Sequence, residues 1–456
     1  MQEVQQTREN KMGVMPVGKL LINMSLPIMI SMLIQALYNI VDSMFVAKIS
    51  EDALTAVSLA FPVQNLIIAV ATGTGVGINA LLSKSLGAKD FDQANKAANN
   101  GLFLLMLSSI PFVLFGIFGS EWFMRTQTDS EAIIRYGTEY LRVVLIISIG
   151  GFGAIATERL LQATGKTVLS MITQAVGAVV NIVLDPILIF GWCGLPEMGV
   201  TGAAIATVFS QCVSFGLGLW FNVRQNKEIR FSIKSFKLEK HIVSNIYSVG
   251  VPTMVTQSIG SIMTFCMNQI LIGFTSTATA VLGVYFKVQS FIYMPIFGLN
   301  NGLVPIISYN YGARKKHRML HAYKLAVVTA VCIMALGTLL FELIPDVFMT
   351  MFSASDAMMA IGIPALRIIG VHFVVAGYCI VTGSLFQALG NGVPSLITSL
   401  TRQLIVLLPV AWLLAQTGNV NMVWWAFPIA EVFSAIFTTF FFVREYRTKI
   451  KPLPND

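Results

Sequence analysis

The sequence predicts an all-α polytopic membrane protein, with twelve transmembrane helices in two pseudo-symmetric six-helix lobes. Three observations carry that prediction. Hydrophobic residues make up 55% of the 456, charged residues only 11%, and the mean hydropathy is +0.74. Soluble domains carry about 25% charge, so a single water-facing globule is excluded. Apolar runs long enough to cross a bilayer recur along the whole chain. Finally, the chain matches itself at an offset of 225 residues.

Polar or Gly/Pro-rich turns divide the apolar runs into twelve spans. They fall near 20–47, 53–82, 97–119, 131–162, 168–192, 200–223, 243–274, 279–308, 322–346, 358–387, 393–416 and 420–443. The expected organisation is a cytoplasmic N-terminus (1–19), an N-lobe (20–223), a basic cytoplasmic linker (224–242), a C-lobe (243–443) and a cytoplasmic C-terminus (444–456). The polar start runs into the first apolar segment without a small-residue cleavage site, so that segment reads as an uncleaved span.

The repeat sets the relation between the lobes. The offset of 225 places Pro27 on Pro252, Phe61, Val63 and Gln64 on Phe286, Val288 and Gln289, and Gly87-Ala88-Lys89 on Gly312-Ala313-Arg314. It also places Arg142 on Arg367, and Gln162, Ala163 and Gly165 on Gln387, Ala388 and Gly390. One residue less aligns Ala206 and Val208-Phe209-Ser210 with Ala430 and Val432-Phe433-Ser434. Six spans separate the copies, an even number, so both run in the same sense about an axis along the membrane normal.

Basic residues give the orientation. Of the 30 lysines and arginines, 23 fall on one side, from Arg8, Lys11 and Lys19 through Lys234 in the linker to Arg444 and Lys451. Only Lys48, Arg125 and Arg135 fall on the other, and Arg142, Lys287, Arg367 and Arg402 lie within spans. Both termini are therefore expected in the cytoplasm. The net charge of +8 is a topology signal, not a nucleic-acid surface.

The chemistry concentrates in Asn181-Ile182-Val183-Leu184-Asp185-Pro186. A carboxylate in mid-span costs about 2.5–3.5 kcal/mol on insertion scales, so it is kept for a partner or a purpose. Asn181 lies one helical turn before Asp185 on the same face, where its amide can hold the carboxylate. Pro186 lacks an N–H and frees a carbonyl inside the membrane. Together these read as a small cation site; a structural bond between helices is the alternative. The first span carries a second acid, Asp42, in Tyr38-Asn39-Ile40-Val41-Asp42-Ser43. Both acids are placed about 10 Å below the outer surface by counting residues at ~1.5 Å each. Two carboxylates at one depth favour a shared proton or Na⁺, because like charges repel and burial strips them of water. Solvation of Asp42 at the outer interface is the competing reading. The hydroxyls of Tyr140 and Thr207 reach the same layer.

The second half lacks this cluster, having Met267 and Val410 where the first has Asp42 and Asp185. It has instead Glu431, at the repeat position of Thr207, with Arg402 among the bases nearby. Glu158 beside Arg159 reads as an interface residue, and Glu431 reads equally as a structural partner or a cavity residue. Gly73-Thr74-Gly75-Val76-Gly77 follows no strand, so its glycines read as a close helix approach rather than a nucleotide loop. No glycine–lysine phosphate loop and no zinc spacing occur; His372 stands alone within a span. The five cysteines read as small buried hydrophobes. Methionines and phenylalanines facing a cleft would suit flat apolar ligands.

Asn181…Leu184-Asp185-Pro186, Val41-Asp42-Ser43, Gly87-Ala88-Lys89 and Gly199-Val200-Thr201-Gly202-Ala203-Ala204, set in two six-helix halves, resemble the multidrug and toxic compound extrusion (MATE) family. Ile429-Ala430-Glu431 and Glu158 make the chain most similar to its staphylococcal-exporter-like branch. The resemblance implies a bacterial inner-membrane antiporter, neither an enzyme nor a cofactor protein, that exports cationic amphipathic drugs in exchange for H⁺ or Na⁺. It implies a monomer that binds no nucleic acid. Position by position, Asp42, Tyr140, Asn181, Asp185 and Thr207 match the family's N-terminal-half cation site, with Na⁺ at Asp42 and Asp185 if that is the ion. Glu431, Glu158, Gln257 and Arg402 are secondary cleft candidates. Members with acids in the seventh and tenth spans differ here: the seventh has Gln257 and Ser258, and the tenth has no acid. A flippase for lipid-linked saccharides is the alternative within the same superfamily; it would line its cleft with cations for pyrophosphate.

Overall fold

The computed structural model describes residues 9–231 and 236–454. Arg8 and Lys234 of the basic set lie outside them. Every regular element among the described residues is helical. In chain order the long ones are α1 (Val17–Ala47), α2 (Glu51–Gly87), α3 (Phe91–Phe118), α4 (Glu131–Ile146 and Ser148–Ala163), α5 (Thr167–Ile189) and α6 (Gly199–Arg224). There follow α7 (Lys240–Ile272), α8 (Ser276–Gly312), α9 (Lys316–Leu343), α10 (Asp356–Gly370 and Phe373–Ala388), α11 (Val393–Ala415) and α12 (Val420–Ile450).

Nine of these helices are long and apolar enough to cross a membrane, and the bent pairs α4 and α10 bring the number to 11 among the described residues. The remaining one, α7, is a continuous helix of 33 residues. Its Ser, Thr, Gln and Asn residues lower its hydropathy, not its length. The packing is inverted relative to a soluble protein. On α5, Asn181 and Asp185 are 1% and 0% exposed, whereas Val179 and Val183 are 60% and 53% exposed. Such a surface is stable only against lipid.

Contacts divide the chain into two compact units. One is Leu26–Gly250 with Lys11 and the described residues before it; the other is Met12–Ser25 with Val251 onward. The division falls inside α1 and α7, at Ser25 and Gly250, two positions 225 apart. It does not fall in the 224–242 linker, because the N-terminal ends of these helices pack with the other half of the sequence. Ser25 Oγ donates to the Leu299 carbonyl at 3.4 Å, and a Cβ on Gly302 would come within 2.5 Å of that hydroxyl. In the first unit a Cβ on Gly77 would strike the carbonyl oxygen of Ile246.

The repeat is visible in the local chemistry of each unit. Ser50 caps α2 by accepting from the Ala53 N–H at 3.0 Å; Thr275 caps α8 by accepting from Ala278 at 3.1 Å. Ser83 Oγ donates to the Ala163 carbonyl at 2.9 Å, and Ser308 Oγ to that of Ala388 at 2.9 Å. Lys89 and Arg314, just past the ends of α2 and α8, take φ of 58° and 59°. The bends of α4 and α10 are 48° and 50°.

Several sequence expectations are corrected. The stretches 131–162 and 358–387, whose length leaves room for a bend, are each two helices broken at one. Short helices at Ser120–Gln127 and Pro345–Met351 precede them, on stretches too polar or too short to show as spans. Of the cysteines only Cys379 is buried; Cys193, Cys212 and Cys332 are exposed and Cys266 half-buried. Cys332 lies on a spanning helix, where an exposed thiol faces lipid at little cost, and the Cys212 thiol on α6 lies against Gly150. His372, at the bend of α10, has polar neighbours: its Nε2 lies 3.4 Å from the Tyr293 hydroxyl and its Nδ1 meets the Ile369 carbonyl.

Candidate functional site

The first unit brings its two spanning acids together. Asp42 lies on α1 and Asp185 on α5, close enough for their carboxyl groups to interact directly. Asn181 Nδ2 donates to Asp185 Oδ1 at 3.4 Å, one turn along α5. Pro186 follows at once and cannot donate to the Ile182 carbonyl, so a backbone oxygen loses its helical partner on this face. The neighbouring α6 comes close here because Gly202 packs against the Leu188 carbonyl, where a Cβ would sit 2.5 Å away.

Tyr140, on the first half of α4, is 3% exposed, and its hydroxyl accepts from Gln64 Nε2 on α2 at 2.7 Å. Tyr140 has Asp42, Tyr38 and Asp185 as electrostatic neighbours. Tyr38 joins the same group, with Gln35 as its hydrogen-bond partner and both carboxylates near. The cluster therefore holds two carboxyls, an amide and two phenols on α1, α4 and α5, with Gln64 of α2 behind them. Gln35, Tyr38 and Gln64 were not among the expected site residues. Tyr38 could have been found, since it lies one turn before Asp42; nothing local in the sequence marks Gln35 or Gln64 as site residues.

Three oxygens of the cluster, Asp42 Oδ1, Asp185 Oδ2 and Asn181 Oδ1, are buried without a hydrogen-bond partner among the described residues. A buried acceptor left unpaired costs about 1–3 kcal/mol, and native structures rarely tolerate several together. An all-oxygen donor set of this kind suits a proton or a hard cation.

The other expected residues have no hydrogen bond to these acids among the described residues. Thr207 Oγ1 donates to the Ala203 carbonyl of its own helix at 3.0 Å, and no hydrogen bond joins it to the acids. Glu158 accepts from Gln162 Nε2 and Gln174 Nε2, each at 2.7 Å, beside Arg159. That arrangement satisfies both of its oxygens. Gln257 is exposed on α7. In the second unit Glu431 is 2% exposed and lies 3.6 Å from Arg402 Nη1. Arg402 sits in a π-helical turn, Thr401–Val406, a widening common at functional or strained points of helices.

The MatE family model matches residues 27–187 and again 252–413. The two matches begin 225 residues apart and restate the internal repeat. The chain is similar to the multidrug export protein MepA of Staphylococcus haemolyticus, 25% identical over 436 residues, covering 95% of this chain and 94% of that protein. MepA of Staphylococcus aureus strain MRSA252 is 25% identical over 427 residues, covering 92% of each. A solved structure of a multidrug resistance MATE family transporter of the MOP superfamily, in its outward-facing conformation, superposes with a TM-score of 0.89 at 26% identity, covering 98% of this chain and 99% of that one. With a twice-matched family model, an all-helical membrane architecture and full-length structural likeness, this chain belongs to the MatE family.

Proposed function

We propose that this protein is a secondary active multidrug efflux antiporter of the bacterial plasma membrane. It exchanges cationic amphipathic compounds for H⁺ or Na⁺ by alternating access, with both termini cytoplasmic. The observation that carries the reading is the pair Asp42–Asp185, the first half-buried and the second fully buried, in a cluster with three buried unmatched oxygens. A cation entering that cluster satisfies acceptors that are otherwise orphaned, and its departure exposes the cost again. Occupancy thus has different free energies in different arrangements of the surrounding helices, which is what converts a gradient into a conformational change. Relatives along nearly the whole chain are named as multidrug exporters, which supports drug-like substrates.

The flippase reading weakens at the bases within spans. Arg142 faces Glu121 at 3.8 Å and Arg402 faces Glu431 at 3.6 Å, so two of the four are locally neutralised rather than free for pyrophosphate. The test is dye efflux from everted vesicles with Na⁺ and H⁺ gradients imposed separately. Efflux driven by one gradient is expected; efflux independent of both, or equal transport of anionic and cationic dyes, overturns the proposal.

A further inference from the structure

The outer face of α12 carries a groove of about 890 Å³. Its floor is Val432, Ile436 and Phe440, at successive turns and 54%, 59% and 61% exposed, with Val375 of α10 on the other wall. The next turns of α12 put Arg444 and Arg447 at its end, both exposed. From Val432 to Arg444 is about 18 Å at 1.5 Å per residue, close to the ~15 Å of hydrocarbon in one leaflet.

Among the described residues no acid pairs with the two guanidiniums. The acid between them, Glu445, is 5% exposed and turned inward, accepting from Asn391 Nδ2 at 2.7 Å and ion-paired with Lys449 Nζ at 3.0 Å. Neither Arg444 nor Arg447 makes an ion pair among the described residues. A leaflet-length apolar trough thus ends in two free arginines at the depth of the headgroups.

We infer that this groove is a binding site for an anionic phospholipid, one acyl chain along Val432–Phe440 and the phosphodiester on Arg444 and Arg447. Arginine forks pair with phosphate oxygens through parallel N–H bonds, which a lone apolar face would not provide. The site belongs to the second unit alone and does not depend on the transport reading.

Native mass spectrometry of the full-length protein tests this, after equal exposure to phosphatidylglycerol and phosphatidylcholine of matched chains. Parental protein should retain phosphatidylglycerol preferentially. Retention should fall roughly fivefold for R444Q and about thirtyfold for R444Q/R447Q. I436W should reduce retention with both arginines intact, because it fills the trough. R224Q/K227Q, on another basic stretch, should leave it unchanged. No preference in the parent, an unaltered R444Q/R447Q, an equal loss in R224Q/K227Q, or equal displacement by inorganic phosphate overturns the site. A mass shift to a dimer relieved by I436W would assign the groove to a second copy instead.

Discussion

Asn181 Nδ2 donates to Asp185 Oδ1 at 3.4 Å, and neither side chain is more than 1% exposed. The bond is long, so the amide tunes the carboxylate rather than neutralising it. Asn181→Ala removes one neutral hydrogen bond to a charged acceptor, worth roughly 1 kcal/mol at this length. Ion affinity should weaken about fivefold while export persists; titrating transport against ion concentration reads this. Loss of export at saturating ion would make Asn181 essential to turnover.

Gly77 and Gly137 predict opposite tolerance. A methyl on Gly77 meets the Ile246 carbonyl, which the backbone of α7 cannot easily withdraw. A methyl on Gly137 meets the flexible end of Met124. Gly77→Ala should lower thermal stability by the 1–3 kcal/mol typical of overpacking, and Gly137→Ala by well under 1 kcal/mol. Equal melting temperatures for the two variants would contradict the packing described here.

Glu228 lies in the linker, where burial raises its pKa while Asn10 Nδ2 donates to both carboxylate oxygens at 2.6 Å. A carboxyl whose folded pKa is raised contributes stability below its unfolded pKa and loses it as pH rises through the folded one. Glu228→Gln keeps an acceptor for Asn10 and cannot ionise. Its melting temperature relative to parent should therefore improve from pH 5 to pH 8. An advantage that shrinks with rising pH would mean the charged form is favoured.

Glu431→Gln serves as the control in the other unit. It leaves Arg402, itself 26% exposed, without its carboxylate, so some stability should be lost. Ion-coupled transport per folded molecule should stay within about twofold of parent, because the proposed coupling cluster is elsewhere. A coupling defect without a folding defect would move the ion site to Glu431.

Much of the fold was legible because the bilayer imposes length and hydropathy on each span, and because duplication repeats the chemistry of caps and turns. Ser50 and Thr275, or Gly87 and Gly312, announce the same helix ends in both halves. Span length left room for bends, but their positions were not legible, since a break at Ile147 leaves the apolar run unbroken. The acids, amide and Tyr140 of the site could be found from burial cost and turn counting. Thr207 could not be placed that way: depth says nothing about whether a hydroxyl is already bonded to its own helix. Gln64 was missed because its role arises only when α2 meets α4.

The most direct test of the account is drug-stimulated ion flux in liposomes containing Asp185→Asn at matched protein density. The substitution keeps the shape and removes a buried charge, so folding should hold or improve. Flux should be abolished, and Asp42→Asn should reduce it less. If Asp185→Asn still exchanges drug for cation near the parental rate, the Asp42–Asp185 cluster is not the coupling site.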